Sequence, residues 1–445
     1  MSVRVGMVSL GCPKNQVDAE QVLYSLREYG YEIVADAALA DVVIINTCGF
    51  IESAKQESIE TILEFCTLKN EGRIKGVVIT GCLAERYKEE VLKEIPEADA
   101  VVGIGSNKEL PEIISTVMDG GHVESFGDKV CLDIDARRII STQPHFAYLK
   151  IAEGCDNFCS YCAIPSIRGR FRSRSIESIV DEASWLVKNG VREIILVAQD
   201  TTRYGEDLYG KPQLSKLLTE LSGLDIKWIR LLYCYPERIN DELIDVIASH
   251  EKIAKYIDIP IQHVNEEILK RMNRPGNEQT IRELIGKLRA KIPGIVIRTT
   301  LITGFPGETD EQFEQLAEFV ADMKFERLGC FAYSAEEGTP ASEFENQVEL
   351  KVREHRADII MDHQLNVMDE KNASLIGTDI EVVVEGFDRY AECYFGRSYA
   401  DAPEIDGKIF FDSQNKLTIG QYVTVHIDDV LDYDLIGAVS DESAE

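Results

Sequence analysis

The sequence predicts an α/β protein built from three domains. Residues 1–120 are predicted to form a parallel α/β domain, residues 141–345 a partial TIM-type barrel, and residues 377–445 a small antiparallel β-barrel. Two patterns lead to this prediction. Apolar runs alternate with segments of helical period over most of the chain, and short β-rich runs between turn residues replace them near the end. A chain of 445 residues with 44% hydrophobic residues is long enough for about three such units.

In the first domain, apolar runs predict four parallel strands, with helical segments between them. The strand-like runs are VRVGMVSL, DVVIINT, GVVIT and AVVG, and the helical segments are QVDAEQVLYSLREYG and SAKQESIETILEF. The polar stretch from Gly120 to Pro144 is interpreted as a linker to the second domain.

Six further apolar runs, separated by helical segments, predict the partial barrel: FAYLKIA, EIILVAQ, WIRLLYC, YIDIPI, VIRTTLITG and ERLGCFAYS. A connecting helix is predicted from Leu350 to Leu375, and Gly377 ends it. The runs DIEVVVEGF, AECYFGRSY, GKIFF and QYVTVHIDDV predict the final barrel. Most of its aromatic residues are expected in the core; those considered are Phe387, Tyr390, Tyr394 and Phe395.

The chain is strongly acidic, with 78 acidic against 47 basic residues and a formal net charge of −31. Such a field repels phosphate backbones, so no direct nucleic-acid substrate is expected, whereas a basic macromolecule would be attracted. Solubility alone would also explain the excess of acidic residues. The sequence has no apolar run of about 18 residues and no signal-peptide pattern at its start, so we expect a cytoplasmic protein with no membrane partner.

The segment GCDNFCSYC places three cysteines directly after the first barrel strand: Cys155, Cys159 and Cys162, here called the central triplet. Eleven cysteines at irregular spacing in a reducing compartment are not expected to form disulfides, so some should bind metal. Three thiolates held this closely can bind three irons of a [4Fe-4S] cluster and leave the fourth iron open. S-adenosylmethionine can chelate an open iron, and one-electron reduction then yields methionine and a 5'-deoxyadenosyl radical. The spacing therefore predicts a radical S-adenosylmethionine enzyme.

Two other interpretations of the central triplet stay open at this point. The spacing should arise by coincidence about once per hundred such chains. Alternatively, Cys159 and Cys162 could form part of a zinc site, but zinc would require a fourth protein ligand, and the one nearby histidine is His145.

A second set of cysteines, the amino-terminal triplet, consists of Cys12, Cys48 and Cys82. Each directly follows an apolar strand, in MVSLGC, VVIINTC and VVITGC. Because the carboxyl ends of parallel strands gather along one edge of a sheet, these thiols are expected to converge and bind a second cluster. Buried structural cysteines are the alternative. A structural role is preferred for the other five cysteines, Cys66, Cys131, Cys234, Cys330 and Cys393.

Five motifs occur in order along the chain: SLGCPKNQVD, INTCGFI, TGCLAER, GCDNFCSYCAIP and TGFPGETDEQF. In this combination the chain resembles the methylthiotransferase family of radical S-adenosylmethionine enzymes over essentially its whole length. The resemblance implies two [4Fe-4S] clusters, the auxiliary one in the amino-terminal domain, and a terminal TRAM barrel that binds substrate. It also implies that one S-adenosylmethionine methylates a sulfur held at the auxiliary cluster, while a second gives the substrate radical that takes up the methylthio group. A reducing electron donor and a sulfur donor are implied as partners.

The run GRSYADAPEIDG, Gly396–Gly407, is here called the C-terminal run. It is similar to the branch of the family that modifies the β-carbon of an aspartate in small-subunit ribosomal protein S-twelve; methylthiolation of a tRNA adenosine is the alternative. Residues 377–445 contain 16 acidic and 4 basic residues, a net charge of −12. A basic ribosomal protein would be drawn to this domain, and Asp401, Glu404 and Asp406 are expected to contribute.

The resemblance further implies contacts with S-adenosylmethionine. Tyr161, inside the cysteine loop, is similar to the aromatic residue that packs near the adenine in related enzymes, and Gln199 and Asp200 end the second barrel strand. Arg298 begins a later strand and could reach the mouth or interior of the barrel, as could His263. Loop capping or ordinary packing is the alternative for each of these residues. No catalytic residue is assigned beyond the six cluster ligands.

Overall fold

The computed structural model describes residues 2–440. Met1 of the predicted first domain and residues 441–445 of the predicted third lie outside the described residues, and three of the sixteen acidic residues of the tail are among the latter. No helix within residues 2–440 is both long and apolar enough to cross a membrane.

The first domain is a six-stranded parallel sheet in the order β2-β1-β3-β4-β5-β6. Helices cover both faces, so every residue of β3 and β4 is buried, which explains why the greater part of each strand is an unbroken apolar run. β6 lies inside the stretch interpreted as a linker and extends the sheet past residue 120. The elements are β1 Arg4–Ser9, α1 Pro13–Tyr29, β2 Glu32–Ile33, β3 Val42–Thr47, α2 Glu52–Asn70, β4 Gly76–Gly81, α3 Cys82–Arg86, α4 Lys88–Glu94, β5 Ala100–Val102, α5 Leu110–Met118 and β6 Val123–Ser125.

The second domain is an open barrel of six parallel strands, in the order β14-β13-β12-β11-β10-β7, and it confirms all six predicted barrel strands. Outward-facing aliphatic side chains pack under the helices in the largest hydrophobic cluster of the protein. Its elements are β7 Phe146–Lys150, β8 Ala152–Glu153, α6 Ile164–Arg168, β9 Arg172–Ser173, α7 Ile176–Lys188, β10 Glu193–Val197, α8 Glu206–Tyr209, α9 Leu214–Ser222, β11 Trp228–Leu231, α10 Asp241–Ser249, β12 Ile253–Gln262, α11 Glu266–Arg271, α12 Glu278–Lys291, β13 Val296–Thr303, α13 Asp310–Met323 and β14 Arg327–Ala332.

The predicted connecting helix is present, and a closed five-stranded barrel follows it. The elements are α14 Leu350–Ala373, β15 Asp379–Asp388, β16 Cys393–Arg397, β17 Ile409–Asp412, β18 Tyr422–Leu431 and β19 Asp434–Val439. The barrel is not wholly antiparallel, because β17 pairs with β19 in parallel. A closed ring with an odd number of strands cannot alternate direction throughout. Two of the aromatic residues expected in the core are exposed, Phe387 at 48% and Tyr390 fully.

The small barrel docks on the amino-terminal ends of the large barrel's strands, and the C-terminal run enters the large barrel from that end. Arg230 on β11 donates a hydrogen bond to the carbonyl of Tyr399 over 2.7 Å. Tyr256 on β12 donates one to the carboxylate of Asp406 over 2.7 Å. Ala402 packs among the inward-facing side chains of the strands. The C-terminal run therefore fills the lower part of the barrel interior.

This placement corrects the expectation of substrate contact for Asp401 and Asp406, whereas Glu404 is exposed and its contribution stays a prediction. Asp401 is buried, accepts a 2.6 Å hydrogen bond from Arg327 and also binds Ser398. Asp406 is held by Tyr256 and lies 3.9 Å from Arg298. The sequence showed their charge but not their partners inside the barrel.

Candidate functional site

The fold brings the amino-terminal triplet together at one edge of the first sheet. Cys12 follows β1, Cys48 follows β3, and Cys82 begins α3 directly after β4. Gly11 has φ +88°, and a Cβ placed there would lie 2.9 Å from Cys48 Sγ, so only glycine fits between them. Burial raises the pKa of Cys82 to about 12; Arg168 opposes this shift, and the neighbouring Cys12 and Cys48 add to it. The three cysteines thus lie along one edge of the sheet, and their convergence on a cluster stays a prediction.

The central triplet lies on the loop between β8 and α6, on the face formed by the carboxyl ends of the barrel strands. Burial raises the pKa of Cys155 to about 11, and Cys159 adds to the shift. Burial also raises the pKa of Cys162, again with contributions from the other two thiols. The hydroxyl of Tyr235 lies 3.4 Å from Cys159 Sγ. The three thiols therefore share one small, largely dry volume.

The donor sets fit iron-sulfur clusters, because thiolate is the ligand that such clusters require and a bound metal cation favours the ionised form of a buried thiol. Within the described part of the chain, however, no group of three or more His, Cys, Asp or Glu side chains already stands in a metal-binding arrangement. Ligation of a cluster by each triplet stays a prediction.

Helix α6 separates the two triplets and contacts both. It begins two residues after Cys162 and, over its five residues, rises about 7.5 Å. Its last residue, Arg168, donates a hydrogen bond to Cys82 Sγ over 3.3 Å. Cys82 also packs against Ala163 and Ile167. The two triplets therefore face each other across one short helix at the junction of the first two domains.

A buried ionic network fixes this junction. Arg168 and Lys150 each bind both Asp18 of α1 and Glu153 of β8, and all four side chains are at most 2% exposed. Burial raises the pKa of Glu153, but Lys150 and Arg168 outweigh that effect and lower it to about 2. Because an unpaired charge at this depth would be costly, the network holds α1 and α6 in a single relative position.

The cysteine loop is held by polar residues at the end of β10. Asp200 is completely buried and accepts hydrogen bonds from Asn157 over 2.9 Å and from Thr202 over 2.5 Å. Thr201 donates to the carbonyl of Leu232 over 2.8 Å. Asp200 therefore holds the cysteine loop through Asn157, whereas Thr201 links the end of β10 to the segment that follows β11.

The structure shows the surroundings of the three residues predicted to bind S-adenosylmethionine and of His263. Tyr161 is half-buried beside the central triplet, and Gln199 is half-buried at the end of β10. Arg298 lies deeper in the barrel, where it donates a 2.8 Å hydrogen bond to Asp258. His263 is buried against Glu308, with its Nε2 atom 3.4 Å from the carboxylate. Contacts of Tyr161, Gln199 and Arg298 with the cofactor stay predictions.

Sequence reasoning missed Arg274. Its guanidinium lies over the ring of Tyr235, 4.3 Å from the centroid, and is 3% exposed. Its Nε and Nη1 atoms are enclosed without an acceptor in the described residues. An arginine after a helix, outside any recognised motif, carries no signal that would single it out.

Three parts of the chain match known families. Residues 4–103 match the Uncharacterized protein family UPF0004, residues 149–320 match the Radical SAM superfamily, and residues 376–439 match the TRAM domain.

Similarity to characterised sequences extends over the whole chain. A protein named Ribosomal protein uS12 methylthiotransferase RimO, from Thermoanaerobacter sp., is 51% identical over 97% of this chain and 99% of its own length. A protein of the same name from Acetivibrio thermocellus is 47% identical over 100% of both chains. The chain belongs to the RimO family. All three domains and both triplets lie within the length that this RimO relative shares with it.

Solved structures show the same fold at low identity. The radical S-adenosylmethionine methyltransferase TsrM from Kitasatospora setae, with cobalamin and a [4Fe-4S] cluster bound, is 16% identical and superposes with a TM-score of 0.58 over 77% of each chain. The cobalamin-dependent radical enzyme OxsB superposes with a TM-score of 0.50 over 82% of this chain and 58% of its own. These structures support the fold assigned to this RimO-family chain.

Proposed function

We propose that this chain attaches a methylthio group to the β-carbon of an aspartate in ribosomal protein uS12, the S-twelve protein of the small subunit. The observation that carries the proposal is the similarity, over essentially the whole chain, to relatives named uS12 methylthiotransferases. The two facing cysteine triplets support it, because a radical source and a sulfur carrier must both reach one substrate carbon. Since the proposed substrate is a ribosomal protein, the proposed reaction takes place in the cytoplasm.

The proposal assigns one [4Fe-4S] cluster to each triplet. A cluster bound with S-adenosylmethionine at the central triplet supplies a 5'-deoxyadenosyl radical, which can remove hydrogen from an unactivated carbon. The chain's own residues present the thiols, hold the cysteine loop through Asp200 and keep water from the junction. Arg274, with enclosed donors near Cys159, is suited to bind the carboxylate of S-adenosylmethionine. The balance of the reaction also requires an electron donor and a sulfur donor.

A tRNA adenosine is not favoured as the substrate. The net charge of −31 opposes binding of a phosphate backbone. Moreover, each of the two relatives described above carries the name of a ribosomal protein methylthiotransferase.

A competition experiment tests the proposed function. Reconstituted enzyme would receive S-adenosylmethionine, a reductant, a sulfur source, uS12 and unmodified tRNA together, and mass spectrometry would follow both macromolecules. We expect added mass only on uS12, on an aspartate. Methylthiolation of the tRNA, with uS12 unchanged, would overturn the proposal.

A further inference from the structure

One buried lysine lies where the first domain covers the mouth of the barrel. Lys14 is the second residue of α1, two positions after Cys12, and is 5% exposed. Its Nζ atom lies over the ring of Tyr233, 3.4 Å from the centroid. Tyr233 follows β11 at the carboxyl edge of the barrel, the edge that carries the central triplet. Lys14 therefore belongs to the space between the two triplets.

Lys14 differs from its buried cationic neighbours in having no carboxylate partner within residues 2–440. Lys150 and Arg168 each bind two carboxylates at this junction. Lys14 makes no salt bridge with a carboxylate within residues 2–440; its charge instead faces the ring of Tyr233 and the Cys12 thiol. A buried ammonium without a carboxylate partner is costly, and a bound carboxylate would reduce that cost.

Two further features of the surroundings suit an anion. The 17-residue helix α1 has no side-chain cap at its amino-terminal end, and that end carries the positive pole of the helix dipole. Tyr233, which supports the ammonium, has φ +60°, a strained conformation for a bulky residue. Strain of this kind is concentrated at binding and catalytic sites. Asp258 stabilises this conformation of Tyr233 by accepting a 3.0 Å hydrogen bond from the Tyr233 amide.

We propose that the Lys14 ammonium binds the carboxylate of the substrate aspartate and holds its β-carbon at the barrel mouth, between the two cysteine triplets. The carboxylate carbon is bonded directly to the β-carbon, so fixing the carboxylate also fixes the carbon that loses hydrogen and gains sulfur. An adenine base carries no anion that could replace this contact. This inference rests on the proposed function and assigns its substrate-recognition residue.

A double-mutant cycle tests the contact. Wild-type and Lys14→Met holoenzymes would be compared for binding to uS12 and to uS12 in which the modified aspartate is replaced by asparagine. We expect this replacement to weaken binding to the wild type by about tenfold or more, the usual effect of losing a hydrogen bond between charged groups. Binding to Lys14→Met should be equally weak for both forms of uS12. Lys14→Arg, which keeps the charge, should recover part of the discrimination.

Arg27→Met is the matched control, because it removes a positive charge from the exposed end of the same helix. It should keep the full discrimination of the wild type. If the asparagine replacement weakens uS12 binding by the same factor in the wild type and in Lys14→Met, the proposal is overturned. If such a result came with weaker S-adenosylmethionine binding or lower iron content, Lys14 would serve the cofactor or the cluster instead. If the wild type does not modify uS12 at all, the proposed function fails, and the proposed contact fails with it. If the wild type modifies uS12 but binds its aspartate and asparagine forms equally well, only the role assigned to Lys14 is wrong.

Discussion

The two cysteine triplets offer the same ligand chemistry but are assembled in different ways. The central triplet comes from one loop of eight residues, Cys155 to Cys162, so its geometry is largely local. The amino-terminal triplet comes from the ends of three strands, β1, β3 and β4, and exists only when the sheet has formed. A site built from one loop should keep its geometry when a residue elsewhere in the fold is changed. A site built from three strands depends on each contact that aligns those strands. The two sites should therefore respond differently to substitution.

The largest effect is expected from removing the central triplet. The Cys155, Cys159 and Cys162 triple alanine variant should form no 5'-deoxyadenosine, because no cluster would remain to bind and reduce S-adenosylmethionine. Iron should fall from about eight to about four per chain. Iron analysis and chromatography of the cleavage products measure both. Persistent cleavage would show that another site generates the radical.

Removing the amino-terminal triplet should separate the two activities. The Cys12, Cys48 and Cys82 triple alanine variant should still release 5'-deoxyadenosine after reduction but add no methylthio group to uS12, because the auxiliary cluster is needed only to supply the sulfur. Loss of both activities in a folded variant would mean that the two sites are not independent.

A single glycine tests the dependence on strand alignment. In Gly11→Ala the new Cβ would lie 2.7 Å from Cys48 Cβ, so we expect the auxiliary cluster to be lost while about four irons and cleavage of S-adenosylmethionine remain. Gly30→Ala is the matched control: its φ is also positive, at +104°, but no atom lies within 4 Å of the added Cβ. It should cost roughly 1–2 kcal/mol of stability and no iron. Equal iron loss in both variants would assign the effect to backbone strain.

The smallest effect is expected in the central loop. Asn157→Ala removes the hydrogen bond to Asp200, but Thr202 and the amide of Arg203 still bind that carboxylate. Iron content should stay near the wild-type value, and cleavage of S-adenosylmethionine should slow by several-fold. Complete loss of the cluster would show that the loop depends on β10 as strongly as the other triplet depends on its sheet.

The sequence was sufficient wherever function follows from periodicity or spacing. The alternation of strand and helix predicted both parallel sheets, and the position of Cys12, Cys48 and Cys82 after strands predicted that they lie along one edge of the first sheet. The sequence was insufficient where the role of a residue depends on a partner that is distant in the sequence. Asp401 is of a residue type that usually lies at the protein surface, but it binds Arg327 inside the barrel. Lys14 stands within a recognised motif, yet its lack of a carboxylate partner within residues 2–440 is visible only once the domains are assembled.

The entry of the C-terminal run into the large barrel has a consequence for synthesis of the protein. During translation the amino-terminal domains emerge first. The barrel strands would be complete while Arg327 still lacks Asp401 and Arg230 still lacks the carbonyl of Tyr399, both of which are made some 70 or more residues later. In a nascent chain, Arg327 and Arg230 thus stay without these partners until the small barrel has left the ribosome. We therefore expect full activity only after the small barrel has been made. Deleting the small barrel should damage the large one rather than simply remove a substrate-binding module.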